Sequence, residues 1–308
     1  MKHFRIYSVL FISCFAFAAT AQQIEWSPEQ IKTLTADYQG IRSADGRPHI
    51  SDALIKRLAN VSTEEAWGFL RNKGYRNQFD AGWVIIGNKP LVGRVVTTQY
   101  MPSRADVDEK IKAKGKGEGR LGSPNSWPID VLQNGDVYVA DGFGKIIDGT
   151  LIGDNLANAI YAKSGTGVVF DAGARDVEGI SKIDGFVGFV RGLDPSYIQD
   201  VMMTCINCPI RIGRVTVLPG DLVLGKQEGV VFIPAQYAED LIMNSEFTAL
   251  RDEFGILRLK EGKFTPGEID MKWSDRIKAD FLSWVKANPQ KLQMTLKEFD
   301  DYMKERNW

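Results

Sequence analysis

An α/β fold built on a curled or barrel-like mixed sheet is what this sequence predicts, from two observations. Many short apolar runs recur through the middle of the chain with few helices between them, which suits a sheet closing on itself better than a doubly wound one. Helical periodicity gathers instead toward the two ends, before about residue 73 and after Pro234, so helices should surround the sheet and extend beyond it. At 308 residues, 44% apolar and 25% charged, the chain has the composition of a globular protein with a large core.

The chain begins with Lys2, His3 and Arg5 ahead of the apolar run Ile6 to Ala18, and Ala19-Thr20-Ala21 offers an A-x-A cleavage site. Residues 1–21 read as a secretory signal peptide; a lipoprotein reading through Cys14 is the weaker alternative, because apolar or small residues continue to Ala21. The expected location is therefore periplasmic or secreted. No other stretch approaches the ~20 apolar residues of a membrane span. Loss of Lys2 and Arg5 moves the net charge from −1 to −3, which speaks against nucleic acid as a partner. After cleavage His49 is the sole histidine, so paired-histidine zinc sites are excluded and most Ser-His-Asp arrangements would depend on that residue. Chemistry is left to carboxylates, arginine and lysine, with or without a metal. Cys205 and Cys208 read first as two buried structural thiols and second as a local disulfide.

Residues 22–49 form an N-terminal arm, with a helix from Ser27-Pro28-Glu29-Gln30 to about Gly40. Ser51-Asp52-Ala53-Leu54 starts a second helix and Ser62-Thr63-Glu64-Glu65 a third. Trp83 to Ile86 and Leu91 to Thr98 predict strands around the turn Gly87-Asn88-Lys89-Pro90. Lys110 to Trp127 reads as a mobile basic loop; its Gly117, Gly119 and Gly122 match a dinucleotide fingerprint by chance, without the flanking strand and helix that motif requires. Strands follow at Asp136 to Asp141, Phe186 to Val190 and Ile210 to Val217, and Leu222 to Leu224 with Val230 to Ile233 make a hairpin. Helices then run from Ala235 to about Asp252, Ser274 to about Ala287 and Thr295 to about Arg306, the last two read as a docking or oligomer-contact tail or, more simply, as packing.

The chain is organised around Gly153 to Asp176, GDNLANAIYAKSGTGVVFDAGARD. Leu156, Ile160 and Tyr161 recur at helical spacing, Gly165 and Gly167 close the helix, and Val168-Val169-Phe170 predicts a buried strand. About ten helical residues descend roughly 15 Å and about five strand residues climb back roughly 16 Å, so Asp154 should lie level with Arg175 and Asp176. Two carboxylates and a guanidinium beside a helix N-terminus outline a site for a divalent cation and an anionic ligand. The plainer alternative makes Asp154 and Asp176 helix N-caps.

Taken with Ser51-Asp52-Ala53-Leu54, Gly93-Arg94-Val95-Val96-Thr97, Pro219-Gly220-Asp221 and Gly229 to Pro234, this stretch resembles the RraA-like family. That family includes regulators of ribonuclease activity and divalent-metal pyruvate aldolases for 4-hydroxy-4-methyl-2-oxoglutarate; many members carry an old menaquinone methyltransferase label. The resemblance implies a swivelling β/β/α fold over residues 50–267, with residues 268–308 a helical C-terminal extension. It implies homotrimers or trimer-based hexamers with sites between subunits, Mg²⁺ or Mn²⁺ as cofactor and a small 2-keto acid as substrate. It also implies site roles: Asp176 as direct metal ligand, Asp154 acting through metal-bound water, Arg175 on the keto oxygen, and the Gly153, Asn155 and Leu156 backbone receiving a carboxylate. The expected activity is a pyruvate-releasing lyase with an oxaloacetate decarboxylase side activity; the alternatives are a non-catalytic RraA-like interaction protein and another exported sugar-acid enzyme using the same metal site.

Overall fold

The computed structural model describes residues 23–305, so the predicted signal peptide and Cys14 lie outside the described residues. Helix α1 (Pro28–Leu34) starts at a reciprocal cap between Ser27 and Gln30, with Pro28 at the first helical position. α2 (Asp52–Leu58) and α3 (Thr63–Asn72) start at Ser51 and Ser62. Strands β1 (Phe79–Asp80), β2 (Val84–Ile86) and β3 (Leu91–Pro102) precede α4 (Ala105–Gly117), α5 (Trp127–Asp130) and the long β4 (Asp136–Ile152). Next come α6 (Asp154–Ser164), β5 (Gly167–Ala174), α7 (Val177–Ile180), β6 (Val187–Leu193) and β7 (Val201–Ile206), then β8 (Ile210–Ile212), β9 (Val215–Val217), β10 (Leu222–Lys226) and β11 (Gly229–Ile233). Helices α8 (Ala238–Lys260), α9 (Pro266–Asp270), α10 (Asp275–Ala287) and α11 (Leu296–Glu305) follow.

Nine strands make one mixed sheet in the order β1-β11-β10-β3-β4-β5-β6-β2, with β7 added to β3. β3, β4, β5 and β6 are parallel neighbours, while β10 and β11 form the predicted hairpin. β1 and β2 stand at opposite ends of that order, yet only Ala81, Gly82 and Trp83 separate them in sequence. The sheet must therefore curl until its edges meet. Arg191 on β6 ties the seam, donating to Asp80 Oδ2 at 2.5 Å and to the Ala81 carbonyl at 2.8 Å, with its guanidinium 3.6 Å from the centre of the Trp83 ring.

Strand periodicity sorts the core. Val137 and Val139 of β4 join Val95, Val169, Phe189, Val223 and Phe232 in one cluster that takes side chains from six strands of the curl. Tyr138 and Ala140 point the other way, against Phe170, Ala157 and Ile160. α2, α3 and α8 cover β10 and β11.

Several elements differ from the sequence expectation. The supposed basic loop is helical over Ala105–Gly117, because charges that look like a solvated run in sequence pair one turn apart, Lys112 to Asp108 at 2.6 Å, and the Trp127 indole lies against the helix at Gly115. Gly117 ends that helix and Gly119 and Gly122 follow it, so no strand leads into the three glycines, as expected. Ile210 to Val217 is two short strands, β8 and β9, not one. β7, hidden in sequence by its Met202-Met203-Thr204 run, pairs with β3 across a bulge at Gln99 and Tyr100. Cys205 and Cys208 are bonded as a disulfide rather than two thiols. The C-terminal helices pack an aromatic cluster of their own on α8, centred on Phe254, Phe281 and Trp284, which gives them the packing role. Among the described residues no helix is long and apolar enough to cross a membrane.

Candidate active site

β4 ends at Ile152, Gly153 caps α6, and after the eleven residues of that helix Gly165 turns the chain toward β5. The Arg175 N–H donates to the Ile152 carbonyl at 3.0 Å, which stitches the end of the β5 segment to the start of α6. Close approach there requires glycine. A Cβ on Gly153 would stand 2.5 Å from Asp176 Oδ2, and one on Gly179 would stand 2.9 Å from Asp154 Oδ2. The two glycines thus hold Asp176 against α6 and Asp154 against α7, with Arg175 between.

Capping does not account for these acids. Asp176 has φ 56° and ψ 37°, and its side chain makes no cap bond to α7; a left-handed non-glycine residue costs on the order of 1 kcal/mol and such strain gathers at functional sites. The cap of α6 is Gly153, and Asp154 is the first helical residue. Arg175 approaches Asp176 at 3.4 Å, and both side chains are about two-fifths exposed, at 42% and 40%. The pair is loose and open to solvent.

A small cleft of about 90 Å³ lies over this patch, lined by Gly153, Asp154, Asn155, Leu156 and Arg175, with Asp176 just outside it. Asp154 Oδ1 accepts the Asn155 N–H at 2.8 Å, so a carboxylate arriving at that amide would have to displace it. The helix ladder begins at Ala157, which donates to the Gly153 carbonyl at 3.0 Å. Leu156 precedes it, in the turn where amides and dipole favour an anion. Sequence reasoning missed Asn125, Thr150, Leu151, Tyr197 and Ile198, which complete the lining. Asn125 lies in the stretch read as a mobile loop, and its Nδ2 donates to the Leu151 carbonyl at 3.0 Å. Tyr197, 62% exposed, was the available signal: an aromatic residue in a polar connection.

Among the described residues no group of three His, Cys, Asp or Glu side chains is placed to hold a metal. The chemistry of the donors at the patch suits a hard cation that keeps most of its waters and takes one or two carboxylates, as Mg²⁺ does. Asp176 fits that need, since no cap claims its carboxylate and its one ion pair is loose.

A family model described as RraA-like, Aldolase/RraA, matches residues 47–232. Protein DlpA of Legionella pneumophila is 29% identical over 201 residues, 65% of this chain but 30% of that protein. A putative 4-hydroxy-4-methyl-2-oxoglutarate aldolase of Halalkalibacterium halodurans is 31% identical over 119 residues, 39% of this chain and 56% of that protein. The match thus spans less than two thirds of either relative. Among solved structures, RraAS2 of Streptomyces coelicolor, an unusual member of the RNase ES inhibitor RraA protein family, aligns with TM-score 0.57 at 26% identity, over 69% of this chain and all of that one. An uncharacterized protein of Pseudomonas syringae aligns with TM-score 0.59 at 20% identity, over 77% of this chain and 100% of that one, a likeness of fold.

Proposed function

From a chain that belongs to the RraA-like family, we propose a divalent-metal-dependent carbon–carbon lyase that releases pyruvate from a 4-hydroxy-2-keto acid. The observation that carries this reading is the Asp154, Arg175 and Asp176 constellation, brought together by Gly153 and Gly179 and not consumed by capping. Asp176 would hold Mg²⁺ or Mn²⁺ directly and Asp154 through water. Such an ion, when bound, supplies positive charge beside the keto oxygen.

The chain's own residues supply the rest. The Leu156 end of α6 binds the substrate carboxylate, and Arg175 donates to the C2 oxygen where negative charge develops. Asp154 accepts the proton of the C4 hydroxyl, directly or through water. The C3–C4 bond breaks, C4 becomes a carbonyl, and its electron pair moves onto C3, C2 and the C2 oxygen as an enolate. Return of one proton to C3 gives pyruvate, with no net oxidation. Oxaloacetate, which loses carbon dioxide through the same enolate, is the expected side substrate. Export is supported by the leader sequence and by the Cys205–Cys208 disulfide. The homotrimer or hexamer belongs to the same reading through the family resemblance, and the exposed apolar side chains of Ile147 and Leu193 are candidates for its contacts.

A non-catalytic interaction protein is the second reading, favoured by the likeness to RraAS2. One assay separates them: purified protein with Mg²⁺ or Mn²⁺, tested for pyruvate release from 4-hydroxy-2-keto acids and oxaloacetate, with and without EDTA. The lyase reading expects activity that EDTA removes and Mg²⁺ restores; full activity in metal-stripped protein would sink it.

A further inference from the structure

Where the N-terminal arm covers the sheet, a cavity of about 310 Å³ lies between Thr35 and Asp37 of the arm, Gln78, the β9–β10 turn at Leu218 and Asp221, and Ala235. It sits where β4 starts, at the end of that strand away from Arg175, because β10 opens beside Arg94 of β3 and Arg94 is the parallel partner of Asp136. Thr35, Asp37 and Ala235 lie outside the matched residues 47–232, so the family domain alone does not build this cavity. We propose that it is a binding site for a small primary amine in its protonated, ammonium form. The proposal is independent of the lyase reading.

The ligand class follows from Asp221. Its side chain is 5% exposed, and its Oδ2 accepts the Leu218 N–H at 2.9 Å. Its Oδ1 has no hydrogen-bond partner, yet it is not sealed off: among the described residues, the sealed and partnerless side-chain atoms belong to Thr98, Asp108, Asn207 and Arg251. In a residue this buried, the opening is onto the cavity that Asp221 lines. Gln78, 9% exposed, repeats the pattern. Its Nε2 donates to the Phe232 carbonyl at 2.9 Å, which fixes the amide and leaves Oε1 as an acceptor, also partnerless and also not sealed. Two buried side chains thus present unmatched oxygens to one small space, and an entering donor relieves them.

Charge then selects a cation. Asp37 adds an exposed carboxylate to the lining, and among the described residues no lysine, arginine or histidine lines the cavity. The Arg42 guanidinium, which is bound to Thr35, has both terminal nitrogens engaged. One donates to Thr35 Oγ1 at 2.7 Å and the Gly46 carbonyl at 3.0 Å, the other to the carbonyls of Thr35 at 2.7 Å and Tyr38 at 2.9 Å. An anion would therefore meet two carboxyl groups and no available cation, whereas an ammonium brings three N–H donors and the charge that Asp221 lacks. Burial pushes the Asp221 pKa up to about 7 with no neighbouring charge to oppose it, and a bound ammonium would favour the ionised form. Leu34, Leu218 and Pro234 offer apolar surface to a short carbon chain, and the volume is at the small end of ordinary ligand sites.

The test titrates the purified protein calorimetrically with butylamine, butanol and butyrate, matched in carbon number and different in charge. Butylamine should bind with a Kd of about 1 mM or tighter, within the limit for five non-hydrogen atoms, and the other two about tenfold more weakly or worse. At about pH 6, butylamine should release most of one proton, read from titrations in two buffers of different ionisation heat, because Asp221 gives up the proton it holds there. Asp221→Asn keeps an acceptor for the Leu218 N–H and cannot ionise. Its butylamine Kd should rise about tenfold or more, the effect of losing one charged hydrogen bond, and the proton release should vanish. Thr216→Phe, at an exposed residue of the same lining, should also weaken butylamine about tenfold through lost space, and it stands in should Asp221→Asn fail to fold. Absence of butylamine binding, equal affinity for the three probes, absence of proton release, or an unchanged Kd in the folded variants overturns the proposal. None of these outcomes bears on the pyruvate-release assay.

Discussion

Two constellations in this molecule use the same residue types to opposite ends. At the start of the parallel strands, Asp136 is 1% exposed and accepts from Arg47 at 2.8 Å, Arg94 at 3.4 Å and the Gln133 N–H at 2.9 Å. Arg94 is finished by Asp52 at 2.8 Å and by the carbonyls of Ile50 and Asn134. Burial by itself lowers the pKa of Arg47, yet Asp136 and Asp45 outweigh it and hold the pKa above the ordinary value. At the far end, Arg175 and Asp176 are half open and loosely paired, on a strained backbone. The charges that serve the fold are buried and saturated, whereas the pair proposed to serve a ligand keeps unspent bonding capacity.

The comparison would break first at Asp136. Asp136→Ala leaves two buried guanidinium groups without their shared carboxylate, and a loss of about 3–5 kcal/mol is expected, read from urea midpoints; a loss below about 1 kcal/mol would mean the network is ornamental. Asp221 sharpens the contrast, as a buried carboxyl with a single backbone donor, the Leu218 N–H at 2.9 Å. Burial pushes its pKa up to about 7, so between about pH 4 and 7 the folded state holds a proton that the unfolded state releases. Its contribution to stability therefore falls as pH rises through that window and is constant above it. The stability of Asp221→Asn relative to the parent should rise from pH 4 to 7 by a few kcal/mol and then level off; a pH-independent difference contradicts the account. Smaller still is Arg175→Lys, which keeps the charge and loses the planar fork. Activity should drop about 100-fold, near 2.7 kcal/mol, with a melting temperature close to the parent's.

One side of this contrast, the open site, was legible in sequence, whereas the buried network around Asp136 was not, and the limits have physical causes. Gly153, Asp154, Arg175 and Asp176 could be brought together from lengths alone, because a helix and the strand after it have fixed rise per residue. The role of Gly179 could not, since its closeness to Asp154 depends on how α7 turns after Asp176. α4 reads as a loop in sequence because its lysines pair with acids one turn away only once the helix exists. Asn125 and Ile198 reach the cleft through tertiary packing, which leaves no mark in local periodicity. The disulfide depends on β7, whose pairing with β3 is set by a bulge no local pattern announces.

The central claim is that Asp176 is kept for a metal and not for its helix, and Asp176→Asn tests it most directly. Asparagine caps a helix about as well as aspartate and tolerates the left-handed conformation, so the fold should be indifferent to the change. Thermal melts and Mg²⁺-dependent pyruvate release should be measured on parent and variant side by side. The account predicts an unchanged melt with turnover reduced at least ~100-fold; near-parental turnover in a folded Asp176→Asn protein would contradict it.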